Sequence, residues 1–176
     1  MDPSRLSLEV FPKWQILARR SREEQGVPRL DYVHKPFHPG RLIWVMFADD
    51  EPIGYLYVQD ALPVTRHPSF EQHPEYHSLR FMLSDLYVLH QHRRGGIARD
   101  LITAALRELG VADDEPVALL LPVSEDALTA LPRILGSRRF VGSKRWGSPI
   151  FGAVEEIAAA SRRLKAAIKR QKEDGT

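Results

Sequence analysis

The chain contains no cysteine, which excludes a disulfide framework, a thiolate metal site and a cysteine nucleophile. It has no apolar run approaching the length of a membrane span. Its start, Met1-Asp2-Pro3-Ser4-Arg5, lacks the apolar core of a secretory signal. The expectation is a cytoplasmic protein with no membrane partner. Charge excess is small as well. Twenty-five Lys and Arg against 23 Asp and Glu leave a net charge of +2. That is too little to argue for a nucleic-acid partner, and the basic residues gather in one turn and in the C-terminal segment. Walker A spacing, the G-x-G-x-x-G of dinucleotide folds and H-E-x-x-H are all missing. His67, His73 and His77 scatter through a polar loop, His90 and His92 sit at a strand end, and His34 and His38 lie among prolines. None has ligand spacing, so no metal site is expected.

What the chain does have is concentrated between Met82 and Leu109. An extended apolar run, Met82 to Leu89, ends in a basic turn, Arg93-Arg94-Gly95-Gly96-Ile97-Ala98. An amphipathic helix follows, with Ile97, Leu101, Ile102, Ala105, Leu106 and Leu109 at helical spacing on one face. A strand feeding a helix through Gly-Gly leaves backbone N–H groups unpaired at the positive end of the helix dipole. That arrangement suits a diphosphate-like anion. Arg93 and Arg94 add charge, while Gly95 and Gly96 permit close backbone approach. The bland alternative is a strand-to-helix turn whose arginines are simply solvated.

The 176 residues suit one domain, 1–176, with a core over about 12–154 and a C-terminal helix over 155–173. Pro12 to Gln25 reads as a helix with Trp14, Leu17 and Ala18 inward. Arg41 to Phe47 and Ile53 to Val58 read as strands of a hairpin turning at Asp49-Asp50-Glu51-Pro52. Asp60 to Leu79 reads as a long polar loop whose Phe70 and Tyr76 shape an acceptor pocket. Pro116 to Leu121 is a short, continuously apolar strand. Ser124-Glu125-Asp126 caps a helix from about Ala127 that Pro132 kinks or ends. Strands at Arg139 to Arg145 and Pro149 to Val154 precede a last helix to about Lys172. The class is α+β with a mixed sheet.

Arg93-x-x-Gly96-x-Ala98, between a strand and a helix, resembles the pyrophosphate-binding signature of the GCN5-related N-acetyltransferase (GNAT) superfamily. The order of elements resembles it too. The resemblance implies a mixed, mostly antiparallel sheet flanked by helices in three layers, and acetyl-CoA as co-substrate. It implies that the strand backbone at Leu86, Tyr87 and Val88 contacts the acetyl and pantetheine groups. Arg93, Arg94, Gly95, Gly96, Ile97, Ala98 and Arg99 would wrap the pyrophosphate, and Ser124 would lie near the far end of the cofactor. Asp85-Leu86-Tyr87-Val88, a four-residue gap, then Arg93 to Leu101 is similar to the α-tubulin N-acetyltransferases. The cysteine and aspartate tied to catalysis in that branch are here Met82 and Leu121.

The chemistry can be argued from need. An amine with a pKa of about 10.4 must lose a proton before it attacks a thioester, whereas the leaving thiolate, near about 8.5, needs little or no acid. Asp85 is a carboxylate inside an apolar strand, on the same face as Leu83 and Tyr87. It reads as the general base or a substrate anchor; alternatively it caps a backbone group or pairs with an arginine such as Arg80. Tyr87 is the second catalytic candidate, though an aromatic that packs on the cofactor or in the core is the commoner role. The acceptor is a small-molecule amine or a protein lysine. The alternative class is a non-catalytic acyl-CoA-binding or regulatory module. The C-terminal helix, with Ile157, Ala160, Leu164, Ala167 and Ile168 on one side, reads as packing on the domain; a partner or nucleic-acid surface, or a homodimer helix, is the alternative.

Overall fold

The computed structural model describes residues 2–25, 37, 40–121, 125–135, 139–144, 149–152 and 154–174. The chain divides into two compact units, one of Met1–Gln59 and Leu83–Val111, the other of Asp60–Met82 and Ala112–Thr176.

In the first unit a two-residue strand β1 (Ser4–Arg5) pairs antiparallel with β2 (Arg41–Ala48), and β2 pairs antiparallel with β3 (Glu51–Asp60). β1 is too short to leave a periodic signal in the sequence. The β2–β3 turn is tighter than the Asp-Asp-Glu-Pro string implies. Asp49 alone takes a positive φ of 49°, and Glu51 and Pro52 already pair within β3. The proline is tolerated because the register shifts between Met46 and Phe47 at that point. Helix α1 (Phe11–Gln25) buries Trp14, Leu17, Ala18 and Ser21, a stripe at spacings of three and four. β4 (Phe81–Val88) leads into α3 (Ile97–Glu108). That helix buries Ile97, Leu101, Ile102, Ala105 and Leu106, five of the six expected inward residues, and packs on β2.

In the second unit the expected loop is largely built of short helices: α2 (Leu62–Thr65) and 3-10 turns at Pro68–Gln72 and Pro74–Tyr76. Prolines start each of them, because a fixed φ suits a first helical turn and its missing N–H is not needed there. The expectation that Phe70 and Tyr76 shape a pocket is corrected. Both are buried, in one apolar cluster with Ala61, Val64, Leu79, Met82, Ala118 and Val141. Phe151 joins that cluster, its ring 3.8 Å from His73 and 5.2 Å from Tyr76. β5 (Val117–Leu121) pairs parallel with β6 (Phe140–Lys144), which pairs antiparallel with β7 (Ile150–Gly152). α4 (Glu125–Leu135) runs on through Pro132 rather than ending there. One lost backbone bond is offset by burial of Leu131 and Leu135 in the same turns. α5 (Val154–Asp174) packs on β6, β7 and α4. It buries Ile157, Ala158 and Ala160, whereas Ile168 farther along is exposed.

The strands follow chain order, β1 to β4 and then β5 to β7. Among the described residues, seven strands with mixed pairing and flanking helices give the expected α+β class. Among the described residues no helix is long and apolar enough to cross a membrane, and no group of His, Asp and Glu could hold a metal ion.

Candidate active site

The site is built on β4 and the turn that follows it. Pleating sends alternate side chains to opposite faces. On one face lies Asp85, whose Oδ2 accepts the Tyr55 hydroxyl from β3 at 2.5 Å. Tyr87, two residues on, sets its ring 6.0 Å from that of Tyr55, and Trp14 of α1 meets Tyr55 edge-on at 6.2 Å. The alternation expected for Asp85 and Tyr87 therefore stands, and α1 lies on their side. Arg80, the arginine weighed as a partner for Asp85, bonds Glu115 with two nitrogens at 2.7 and 2.9 Å. That pairing raises its pKa further.

On the other face Val88 and Ile97 close around Gly54 of β3. A Cβ at Gly54 would stand 3.1 Å from the Tyr87 carbonyl, 3.2 Å from the Ile97 Cγ2 and 3.4 Å from the Val88 Cγ2. The absence of a side chain at Gly54 lets β3, β4 and the first residue of α3 meet. Leu89 N–H donates to the Ile53 carbonyl at 2.9 Å and holds the end of β4 in this place.

Beyond β4 a 3-10 turn at His90–His92 precedes the basic segment. Arg94 and Gly96 both take left-handed conformations, with φ of 68° and 84°. Gly96 is the N-cap residue of α3 and has no side chain to bond the first-turn amides. No side chain caps those donors, a geometry that suits an anion. A Cβ at Gly96 would stand 3.2 Å from Nη2 of Arg99, so that guanidinium arches over the glycine while its Nε donates to Asp100 at 3.1 Å. Gly95 has only the His92 carbonyl near its missing Cβ, at 3.5 Å. Ile97 is buried and Ala98 half-buried at the start of the helix. Backbone donors, a glycine N-cap and three arginines in the same turn are the parts a pyrophosphate requires, so the residues present fit the pyrophosphate of acetyl-CoA.

Sequence reasoning missed Glu24. It lies in the last turn of α1 and accepts two bonds: the Tyr87 hydroxyl on Oε1 at 2.5 Å and the Arg93 Nη2 on Oε2 at 2.7 Å. Arg93 also donates its Nε to the Val88 carbonyl at 2.9 Å, and its guanidinium lies 5.8 Å from the Tyr87 ring centroid. The Tyr87 hydroxyl above all, and the Arg93 guanidinium, hold the Glu24 carboxyl below the ordinary 4.5, against partial burial pulling the other way. Burial, reinforced by Glu24, pushes the Tyr87 phenol well above the ordinary 10. Tyr87 thus keeps its proton and presents it to Glu24. Tyr55 and Gly54 also escaped sequence reading. Strand alternation gives their faces but not their cross-strand neighbours. Ser124 lies outside the described residues.

Residues 10–120 match the model of the acetyltransferase (GNAT) family. No curated protein shows significant similarity. Among solved structures the chain is similar to a probable acetyltransferase, with a TM-score of 0.59 and 17% identity over 87% of this chain and 98% of that one. It is similar to a ribosomal-protein-alanine N-acetyltransferase from Brucella melitensis biovar Abortus 2308, with a TM-score of 0.52 and 18% identity over 86% and 98%. It is also similar to the aminoglycoside N-acetyltransferase AAC(6')-Iy in complex with CoA, with a TM-score of 0.51 and 17% identity over 77% and 90%. At these identities the likeness is one of fold. The expected kinship with the α-tubulin branch finds no support in these comparisons.

Proposed function

Because the chain belongs to the GNAT acetyltransferase family, we propose that it moves an acetyl group from acetyl-CoA to a primary amine, on a small molecule or a protein lysine, by direct attack in a ternary complex. One observation carries this reading: a half-buried strand carboxylate, Asp85, fixed by a phenol at 2.5 Å, lies on the strand that runs into a glycine-capped helix N-terminus. Acetyl-CoA, when bound, supplies the activated thioester.

This chain's own residues do the rest. The α3 amides, with Arg93, Arg94 and Arg99, bind the pyrophosphate. The β4 backbone from Leu86 to Val88 orients the acyl arm and offers a donor to the developing oxyanion. Asp85 accepts the proton that the attacking ammonium must lose, and Tyr55 holds that carboxylate in place. Tyr87 serves as a positioning residue rather than an acid, because its proton is held on the Glu24 side. The leaving thiolate needs no acid at neutral pH. With no cysteine in the chain, no acetyl-cysteine intermediate forms, which supports direct transfer. The chain acts in this reading as a single acetyltransferase domain, in the cytoplasm.

The test is Asp85→Asn. It removes the proton acceptor without changing side-chain size. The variant should bind acetyl-CoA as the wild type does and release CoA thiol to primary amines at least about a hundredfold more slowly. Equal turnover would remove Asp85 from the mechanism. A wild type that binds acetyl-CoA but acetylates no amine or lysine peptide would instead be an acyl-CoA-binding module.

A further inference from the structure

A carboxylate in the last turn of a helix meets the negative end of the helix dipole and is disfavoured there unless something compensates. Glu24 stands in that position in α1, yet two donors from β4 and its following turn are directed at it. The arginine involved is the first residue of the pyrophosphate turn. Its guanidinium is fixed at two nitrogens, Nε on the Val88 carbonyl and Nη2 on Glu24, and lies against the Tyr87 ring. A free arginine side chain samples many rotamers, and holding one in advance removes an entropic loss on binding. The planar fork makes such holding effective, since fixing two nitrogens sets the direction of the third. Here the third, Nη1, lies beside the His90 ring at 3.4 Å.

From this geometry we propose that Glu24 is a positioning residue for the cofactor, acting through Arg93. It sets the guanidinium at the head of the turn so that it meets the pyrophosphate already oriented, and it links α1 to cofactor binding. The assignment rests on the proposed function. An opposing effect exists, because the Glu24 charge repels a diphosphate. That charge is matched by Arg93, and the side chain is 43% exposed, so water screens it. The positioning effect therefore dominates, and removing Glu24 weakens binding.

The experiment is a double-mutant cycle read by calorimetric titration with acetyl-CoA. Glu24→Ala should raise Kd about tenfold, and Arg93→Ala at least as much. The double variant should be no weaker than Arg93→Ala alone, because Glu24 has nothing left to position. Glu24→Gln keeps one acceptor oxygen, which can take the Arg93 Nη2, while its amide N–H can donate to the Tyr87 hydroxyl oxygen. It should stay within about threefold of the wild type, a rescue that a merely electrostatic role would not give. If Glu24→Ala fails to fold, Arg93→Lys carries the test. Lysine cannot hold the Val88 carbonyl and Glu24 together, and about tenfold weaker binding is expected. An unchanged or lower Kd in Glu24→Ala (or in Arg93→Lys), or additive effects in the cycle, would overturn the assignment. A wild type that does not bind acetyl-CoA would overturn the proposed function and this assignment with it, whereas tight wild-type binding insensitive to Glu24 overturns this assignment alone.

Discussion

The hydroxyl of Tyr55 donates to Oδ2 of Asp85 across 2.5 Å, joining β3 to β4 on the face where Trp14 of α1 meets the Tyr55 ring. A hydrogen bond to an ionised group contributes about 1.5–3 kcal/mol. Tyr55→Phe keeps the ring and removes the hydroxyl that makes that bond. The turnover number is expected to fall about ten- to hundredfold with acetyl-CoA affinity unchanged. Steady-state thiol release beside calorimetric titration checks both halves.

The close meeting of β3, β4 and α3 at Gly54 gives a second expectation. A methyl group there must displace a backbone carbonyl and two buried side chains by a few tenths of an ångström. Gly54→Ala should destabilise by about 1–3 kcal/mol, the usual penalty for overpacking. Because Ile97 is one of the displaced groups, acetyl-CoA should also bind more weakly. Thermal unfolding with and without acetyl-CoA separates the two effects.

Arg94 adopts φ of 68° at a position where a side chain is strained. Left-handed backbone costs a non-glycine residue about 1–2 kcal/mol, and such strain tends to be kept where a site needs it. Arg94→Gly should therefore raise the melting temperature, by about 2–4 °C for each kcal/mol relieved, while weakening acetyl-CoA binding through the lost charge. A variant neither more stable nor weaker in binding would separate Arg94 from the site.

Glu24 gives a pH dependence of stability. Its folded-state pKa lies below the ordinary 4.5, chiefly through the Tyr87 hydroxyl. Its contribution is therefore fully present above the unfolded-state value and is lost as pH falls through the folded one. Between about pH 5 and pH 3 the wild type should lose stability more steeply than Glu24→Gln. Parallel denaturation curves for the two proteins over that range would contradict the expectation.

The turn from Arg93 to Arg99 was legible because its chemistry is local. Glycine spacing, adjacent charge and a switch from extended to helical periodicity all fall within one stretch of chain. Asp85 stood out because an acid in an apolar strand is conspicuous against its immediate neighbours. The partners of these residues were not legible, because partnership depends on register and packing. Nothing in the string separates Glu24 from Glu23, yet only the helical phase of residue 24 brings a carboxylate to Tyr87 and Arg93. Tyr55 and Gly54 are fixed by how β3 meets β4, which strand alternation leaves open. In the Asp60 to Leu79 segment polar residues and prolines read as loop, whereas Phe70, Tyr76 and Leu79 go inward and prolines start short helical turns. There, tertiary burial overrode local composition.

The measurement that bears most directly on the central claim pairs two readouts on wild type and Asp85→Asn: calorimetric titration with acetyl-CoA, and CoA thiol release across a panel of primary amines and lysine peptides. The expected result is equal acetyl-CoA binding by both proteins, amine-dependent thiol release by the wild type, and release at least about a hundredfold slower in the variant. A well-folded wild type that does not bind acetyl-CoA, or a variant that turns over as fast as the wild type, would contradict it.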